Sequence, residues 1–182
     1  MPAPTIDPRS ASSRLPVADM PAVVGVAGGV GTSTVAAALG GRDLGVFTGR
    51  PADVVVCRAT VASVLLAGRV TALCARPVVA VTALDTGKPS SALRSRLALL
   101  EPHTTAVITL PWVPPWCDLV DPIQELRDQL HRPAGKLPRT VGGYLAALTA
   151  IHTARHSASR TVLRSPAPLG RPNQAPGRAA RG

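Results

Sequence analysis

The residues with the clearest chemical meaning lie in residues 23–34, where a valine-rich run is followed by three glycines and then three hydroxyl residues. Glycines let the backbone approach an anion closely, and backbone N–H groups bind phosphate without the help of a side chain. The hydroxyl residues Thr32, Ser33 and Thr34 open an alanine-rich segment that is typical of a helix. The order of strand, glycine loop and helix therefore predicts a phosphate-binding loop.

This loop lacks the side chains that nucleotide hydrolysis requires. The standard pattern has a lysine after its last glycine and a glycine at its start, but this chain has Thr32 and Val26 there. Losing one charge-assisted hydrogen bond, about 1.5–3 kcal/mol, lowers the expected affinity by roughly 10- to 100-fold. Ser33 has the place of a Mg²⁺-binding hydroxyl, whereas Arg58, not an acid, follows the next valine-rich run. We therefore predict binding without efficient ATP hydrolysis, and the alternative is a strand-to-helix turn with no ligand.

The octet 27–34 resembles the deviant P-loop of the ParA/MinD group of NTPases, Lys-Gly-Gly-x-Gly-Lys-Thr/Ser-Thr, with Ala27 and Thr32 in place of the two lysines. The pilus-assembly and septum-site members of that group have similarly lysine-poor loops. The resemblance implies ATP or GTP with Mg²⁺ as candidate ligands and a homodimer as a candidate assembly. It also implies a role in plasmid or chromosome partitioning, septum placement, or secretion and conjugation assemblies. The nucleotide-binding residues it implies are Gly28, Gly29, Val30, Gly31, Thr32, Ser33 and Thr34, with Ser33 on the metal.

Two later segments contain further candidate nucleotide contacts. Residues 81–85 resemble the Thr-Lys-x-Asp base-recognition element of related GTPases, and Asp85 is a candidate for binding a guanine edge, for a metal ligand or for a cap of the following turn. Lys88, in the same loop, is a candidate phosphate contact. Pro111 and Trp112 follow a predicted strand, at the end where α/β sheets bind ligands. Trp112 or Trp116 is expected to stack on a base or anchor a partner protein, or else both fill space in an aromatic-poor core.

The composition favours a parallel sheet covered by helices, because only Phe47, Tyr144, Trp112 and Trp116 are aromatic and the core must be aliphatic. Strands are predicted at residues 22–26, 44–48, 53–57, 77–83 and 105–110, and the second is the weakest of them. Helices are predicted to begin at caps on Thr60, on Ser90 or Ser91, on Asp121 and on Thr140. This alternation predicts an α/β fold, a doubly wound, mostly parallel sheet of about five strands with helices on both faces, as in P-loop NTPases.

The second and third predicted strands are separated by only four residues, 49–52. A parallel crossover needs a dozen or more residues, so these strands cannot be parallel neighbours joined by a helix. We expect either an antiparallel or irregular edge strand at 44–48 or one strand that continues around a bend.

The ends of the chain differ in composition from its middle. Residues 1–20 are rich in proline, serine and alanine and are predicted to be a disordered leader before a domain at 21–155. Residues 156–182 are predicted to be a disordered, basic tail. Six arginines and no acid lie in residues 155–182 of a chain with net charge +10. This tail is a candidate for nucleic acid or an acidic surface, and the alternative is a solvated end.

Three classes of protein have less support. Cys57, Cys74 and Cys117 have no metal-binding spacing, so we expect buried, reduced thiols in a cytoplasmic protein. Residues 20–41 have no charge and are long enough for a bilayer at about 20 residues, but their glycines and hydroxyls make a poor apolar helix. No membrane span is therefore expected. The glycines also do not fit the dinucleotide-binding pattern.

The sequence thus favours a degenerate nucleotide-binding module that hydrolyses weakly or not at all. The alternative is a nucleotide-independent scaffold for an unknown protein partner or for DNA.

Overall fold

The computed structural model describes residues 20–130 and 137–163. Its five strands are β1 (Ala22–Gly25), β2 (Arg42–Val46), β3 (Val54–Arg58), β4 (Val78–Thr82) and β5 (Ala106–Leu110). They form one sheet with the order β2-β1-β3-β4-β5, in which every pair is parallel. The predicted α/β class is confirmed, and the sheet is wholly parallel.

Five α-helices lie in the described part of the chain: α1 (Thr32–Ala38), α2 (Val61–Thr71), α3 (Ser91–Ala98), α4 (Pro122–Leu130) and α5 (Arg139–Leu163). Helix α1 packs on β1 and β2 and against α4, whereas α2 packs on β3 and against α3. Crossovers between parallel strands are right-handed. The chain moves from β1 to β2 in one direction across the sheet and from β3 through β4 to β5 in the other direction. Right-handed crossovers therefore put α1 on one face of the sheet and α2 with α3 on the other face.

The valine-rich runs of the sequence form the centre of the sheet. In β1, β3 and β4 the side chains are buried on both faces, as expected for central parallel strands. Helix α5 covers β5 and β4 with the predicted stripe, in which Val141, Tyr144, Leu148 and Ile151 are buried. The fold thus has an aliphatic core.

The second strand agrees with the expectation of an irregular edge strand, but its bounds differ from the predicted ones. It begins two residues earlier than expected, pairs with β1 in parallel and lies at the sheet edge, so it is neither antiparallel nor a continuation of β3. Residues 47–53 join β2 to β3 without a helix. This short connection suffices because β2 and β3 are not neighbours, since β1 lies between them. Gly45, at φ 69°, lies where the register between β1 and β2 shifts.

Three of the four predicted helix caps are confirmed. The side chain of Thr60 accepts a hydrogen bond from the Ser63 amide, Ser90 accepts one from Leu93, and Asp121 accepts from Ile123 and Gln124. The prediction for Thr140 was wrong, because α5 begins at Arg139 and its Gly142 amide bonds to the carbonyl of Pro138.

The end of the last helix and the burial of the cysteines differ in part from the predictions. Helix α5 continues to Leu163, eight residues past the predicted end of the domain, while residues 1–19 of the predicted leader and 164–182 of the predicted tail lie outside the described residues. All three cysteines are unpaired thiols, but only Cys57 is buried; Cys117 is exposed because its 3-10 turn, Pro114–Asp118, lies at the surface. In the residues described, no helix is long and apolar enough to cross a membrane.

Candidate phosphate-binding loop

The glycine loop, residues 26–31, connects the end of β1 to the start of α1. Gly29 and Gly31 have φ angles of 69° and 95°, a region that residues with a Cβ rarely adopt. Gly31 is also the N-cap of α1, and no side chain caps the helix there. These two glycines are therefore required by the backbone, as the sequence pattern predicted.

The inner side of the loop is packed by its own side chains. Val30 is only 3% exposed, and its Cγ2 atom would lie 2.8 Å from a Cβ added at Gly25. The hydroxyl of Thr32 lies against the same glycine and leaves still less room there. Gly25 at the end of β1 is thus a third required glycine, which the sequence analysis did not single out.

The loop carbonyls are held by the ends of the two following strands. The Nε and Nη2 atoms of Arg58, the last residue of β3, donate to the carbonyl of Gly29 at 3.2 and 2.6 Å. The hydroxyl of Thr82, the last residue of β4, lies 3.1 Å from the Val30 carbonyl and 3.2 Å from that of Cys57. Neighbouring strands therefore fix the orientation of two consecutive peptide groups in the loop.

The backbone N–H groups at the helix end of the loop, unlike the carbonyls of Gly29 and Val30, are not bound by protein groups of the described chain. Across residues 20–130 and 137–163, no hydrogen bond joins the N–H groups of residues 31–34 to an acceptor, whereas Gly28 and Gly29 form a hydrogen-bonded turn. The first N–H groups of a helix have no intrahelical acceptor, and those of Thr32, Ser33 and Thr34 belong to this class. The loop therefore has the carbonyls of Gly29 and Val30 bound to protein, while its donors at the start of α1, residues 31–34, have no partner in the described chain.

The loop lies at a topological switch point of the sheet. From β1 the chain goes to one side, to β2, and it then returns to the other side of β1 to form β3. In doubly wound sheets of this order, ligands bind outside the carboxyl ends of the strands at this point. Both the glycine loop and Arg58 lie at these carboxyl ends.

The charges near the loop are dominated by Arg58, which is exposed. Asp85 follows β4, but its Oδ1 atom accepts a hydrogen bond from the Gly87 amide at 2.7 Å, which is the turn-capping role among the alternatives for this residue. No group of three metal-ligating side chains exists among the described residues. The Ser33 side chain is exposed, and nothing in the described part of the chain forms a hydrogen bond with it.

Pro111 and Trp112 lie at a different part of the same sheet edge. They follow β5, which is three strand spacings, roughly 14 Å, from β1. Pro111 packs near Gly143 of α5, and the rings of Trp116 and Tyr144 meet edge to face with centroids 4.8 Å apart. Trp116 is therefore a packing residue, and both tryptophans are partly exposed.

In the sequence, Arg58 stands where P-loop enzymes have an acid, and the contact of its side chain with the glycine loop was not predicted. The signal that would find it is strand adjacency, because the residue that ends the strand next to β1 points to the loop at the shared carboxyl edge. Comparison of this chain with family models, with curated proteins and with solved structures finds no match.

Proposed function

We propose that this protein is a nucleotide-binding module that holds the phosphates of ATP or GTP at the glycine loop and does not hydrolyse them efficiently. The observation that supports this most is the polarity of the loop: the carbonyls of Gly29 and Val30 are bound by Arg58 and Thr82, whereas the N–H groups of residues 31–34 have no partner in the described chain. Such an array of donors at the switch point of a parallel sheet favours an anion.

Arg58 supplies the positive charge in the proposed phosphate site. A P-loop lysine neutralises phosphate charge, and this chain has Thr32 at that position, with its hydroxyl directed to Gly25. The guanidinium of Arg58 lies beside the loop from the neighbouring strand, with its Nη1 atom in no hydrogen bond among the described residues. We assign it the charge that the lysine would provide.

Efficient hydrolysis is not part of the proposal. P-loop enzymes hold Mg²⁺ with a hydroxyl and with an acid at the end of a nearby strand. Ser33 supplies the hydroxyl, but the residue at the end of β3 is Arg58, and Asp85 is engaged by Gly87. Mg²⁺ therefore binds through the nucleotide and Ser33. The cellular roles implied by the ParA/MinD resemblance stay predictions.

The second candidate is the scaffold that kept the fold without a ligand. It is favoured by the same Arg58–Gly29 contact, because a loop already closed by protein hydrogen bonds is stable without a nucleotide. The two candidates differ in whether a phosphate binds at the loop beside these contacts.

Isothermal titration with ATP, GTP and inorganic pyrophosphate, each with and without Mg²⁺, tests the proposal. The decisive variant is Ser33→Asp, because an acid in the first turn of a helix stabilises the helix but repels phosphate. Ser91→Asp, also in the first turn of a helix and exposed, is the matched control. We expect Ser33→Asp to abolish binding and Ser91→Asp to retain it. No heat and no thermal shift at millimolar nucleotide would rule out the proposal and leave the scaffold.

A further inference from the structure

A second concave surface lies away from the glycine loop, between α2 and the segment that runs from α3 into the 3-10 turn Glu101–His103. This cleft is about half open to solvent and holds a cavity of about 160 Å³. Its lining includes the buried side chains of Val64 and Leu100 and the exposed side chains of Leu65 and Leu99. Leu65 is 46% exposed and Leu99 62%, so apolar surface continues from the cavity to its rim.

Gly68 keeps this cleft open from the side of α2. A glycine inside a helix costs about 1 kcal/mol relative to alanine, so its presence in the middle of α2 calls for a structural reason. A Cβ at this position would lie 3.4 Å from Cδ2 of Leu100. The missing side chain thus leaves space in the lining of the cavity.

The polar side chains of the cleft lining are Thr71, Arg96 and His103, and none of them is acidic. Arg96 and His103 both line it, and both are exposed. Glu101, in the same 3-10 turn, is exposed but is not part of the lining. The Arg76 guanidinium holds this turn by donating to the carbonyls of Pro102 and Thr104. The rim is therefore complementary to a carboxylate, which Arg96 binds with two parallel hydrogen bonds when it is well aligned.

The size of the cavity decides between a small molecule and a side chain. Small-molecule sites usually enclose about 300–1,000 Å³, while an apolar cavity of about 150 Å³ accepts a benzene-sized group. The observed volume matches one leucine or phenylalanine side chain, and exposed leucines at the rim offer contacts for flanking residues. We propose that this cleft docks an acidic segment of a partner protein, which inserts one apolar side chain into the cavity and pairs a carboxylate with Arg96.

A random peptide library displayed on phage and selected on the full chain tests this docking site. We expect enriched peptides with a leucine or phenylalanine next to an acidic residue. As synthetic peptides, they should bind Arg96→Glu at least tenfold more weakly than the wild type. Arg94→Glu, an exposed arginine on the same helix whose guanidinium donates to Pro89, is the matched control and should leave affinity unchanged.

Two further variants test the apolar contacts of the cleft without changing its charge. Leu99→Ala removes an exposed apolar side chain from the rim, and Gly68→Ala narrows the cavity while favouring the helix, so both should weaken the peptides by at least tenfold in folded protein. The proposal is overturned if no acidic apolar sequence is enriched or if the peptides bind Arg96→Glu as well as the wild type. It is also overturned if 3-phenylpropanoate alone binds as tightly as the peptides, because the rim leucines then contribute nothing.

Discussion

The guanidinium of Arg58 donates two hydrogen bonds, at 3.2 and 2.6 Å, to the carbonyl of Gly29 in the neighbouring glycine loop. This contact links the carboxyl ends of two adjacent parallel strands, and it puts a positive charge where phosphate would meet the loop amides. In the proposed function, the same side chain stands where P-loop enzymes have an acid on the neighbouring strand and supplies the charge that they take from a lysine in the loop.

Replacing Arg58 with alanine should weaken nucleotide binding more than it weakens the fold. The loss of a charge-assisted hydrogen bond, about 1.5–3 kcal/mol, predicts roughly 10- to 100-fold lower affinity for ATP or pyrophosphate by titration calorimetry. Because the side chain is exposed, the free energy of unfolding should fall by only about 0.5–1.5 kcal/mol in urea denaturation.

Arg94→Ala is the control for this substitution, since Arg94 is also exposed and also donates to a backbone carbonyl, that of Pro89. It should leave nucleotide affinity unchanged. If Arg58→Ala binds pyrophosphate as tightly as the wild type, Arg58 does not contact phosphate and the loop amides act alone.

Ser33→Ala should remove the dependence of ATP binding on Mg²⁺. The Ser33 hydroxyl is exposed and makes no hydrogen bond within the described chain, so its removal should change stability by less than about 0.5 kcal/mol. We expect affinity without Mg²⁺ to be unchanged and the gain on adding Mg²⁺ to disappear. Ser95→Ala, an exposed serine inside α3, is the control; an undiminished Mg²⁺ effect in Ser33→Ala would refute the assignment of this hydroxyl to the metal.

Two glycines of the loop should respond differently to alanine. Gly31 has φ 95°, and a Cβ there would lie 3.3 Å from Cγ2 of Thr82, so Gly31→Ala should lower the free energy of unfolding by about 1–2 kcal/mol. Gly28 has no atom within 4 Å of an added Cβ, and its φ is not positive. Gly28→Ala should therefore be neutral within about 0.5 kcal/mol in urea denaturation. Equal losses in the two variants would contradict the observed loop conformation.

Local patterns in the sequence are enough to predict most elements of this fold. The valine-rich runs predict β1, β3 and β4 because strands buried on both faces need continuous apolar residues. Thr60 and Asp121 predict helix starts because their side chains accept backbone hydrogen bonds within three residues along the chain. Interactions of this range can be inferred from spacing alone.

The strand order and the site contacts depend on residues far apart in the sequence. Arg58 and Gly29 are 29 residues apart, and Thr82 and Val30 are 52 apart, so neither contact can be inferred before the neighbours of β1 are known. The parallel pairing of β2 with β1 could not be inferred for the same reason, because the short connection from β2 to β3 excludes neighbouring strands joined by a helix but does not reveal that β1 lies between them. Gly25 was missed since its constraint comes from the side chains of Val30 and Thr32.

Cys57 is buried in the core, and this burial raises the pKa of its thiol from 9.0 to about 12. Between these values the unfolded chain releases the thiol proton while the folded protein retains it. Because the unfolded state then binds fewer protons, the free energy of unfolding decreases as pH rises through this window, by at most about 1.4 kcal/mol per pH unit. Urea denaturation of the wild type from pH 8 to 11 should show this decline.

Cys57→Ala isolates the contribution of this thiol. The variant should be less stable at pH 8, because it creates a cavity in the core, but its stability should decline less steeply with pH than that of the wild type. A residual slope is expected from Tyr144, since burial also raises the pKa of its phenol. Cys117→Ala is the control, because this thiol is exposed and its removal should leave the wild-type slope. Identical slopes in the wild type and Cys57→Ala would show that Cys57 is not protected from ionisation by the core.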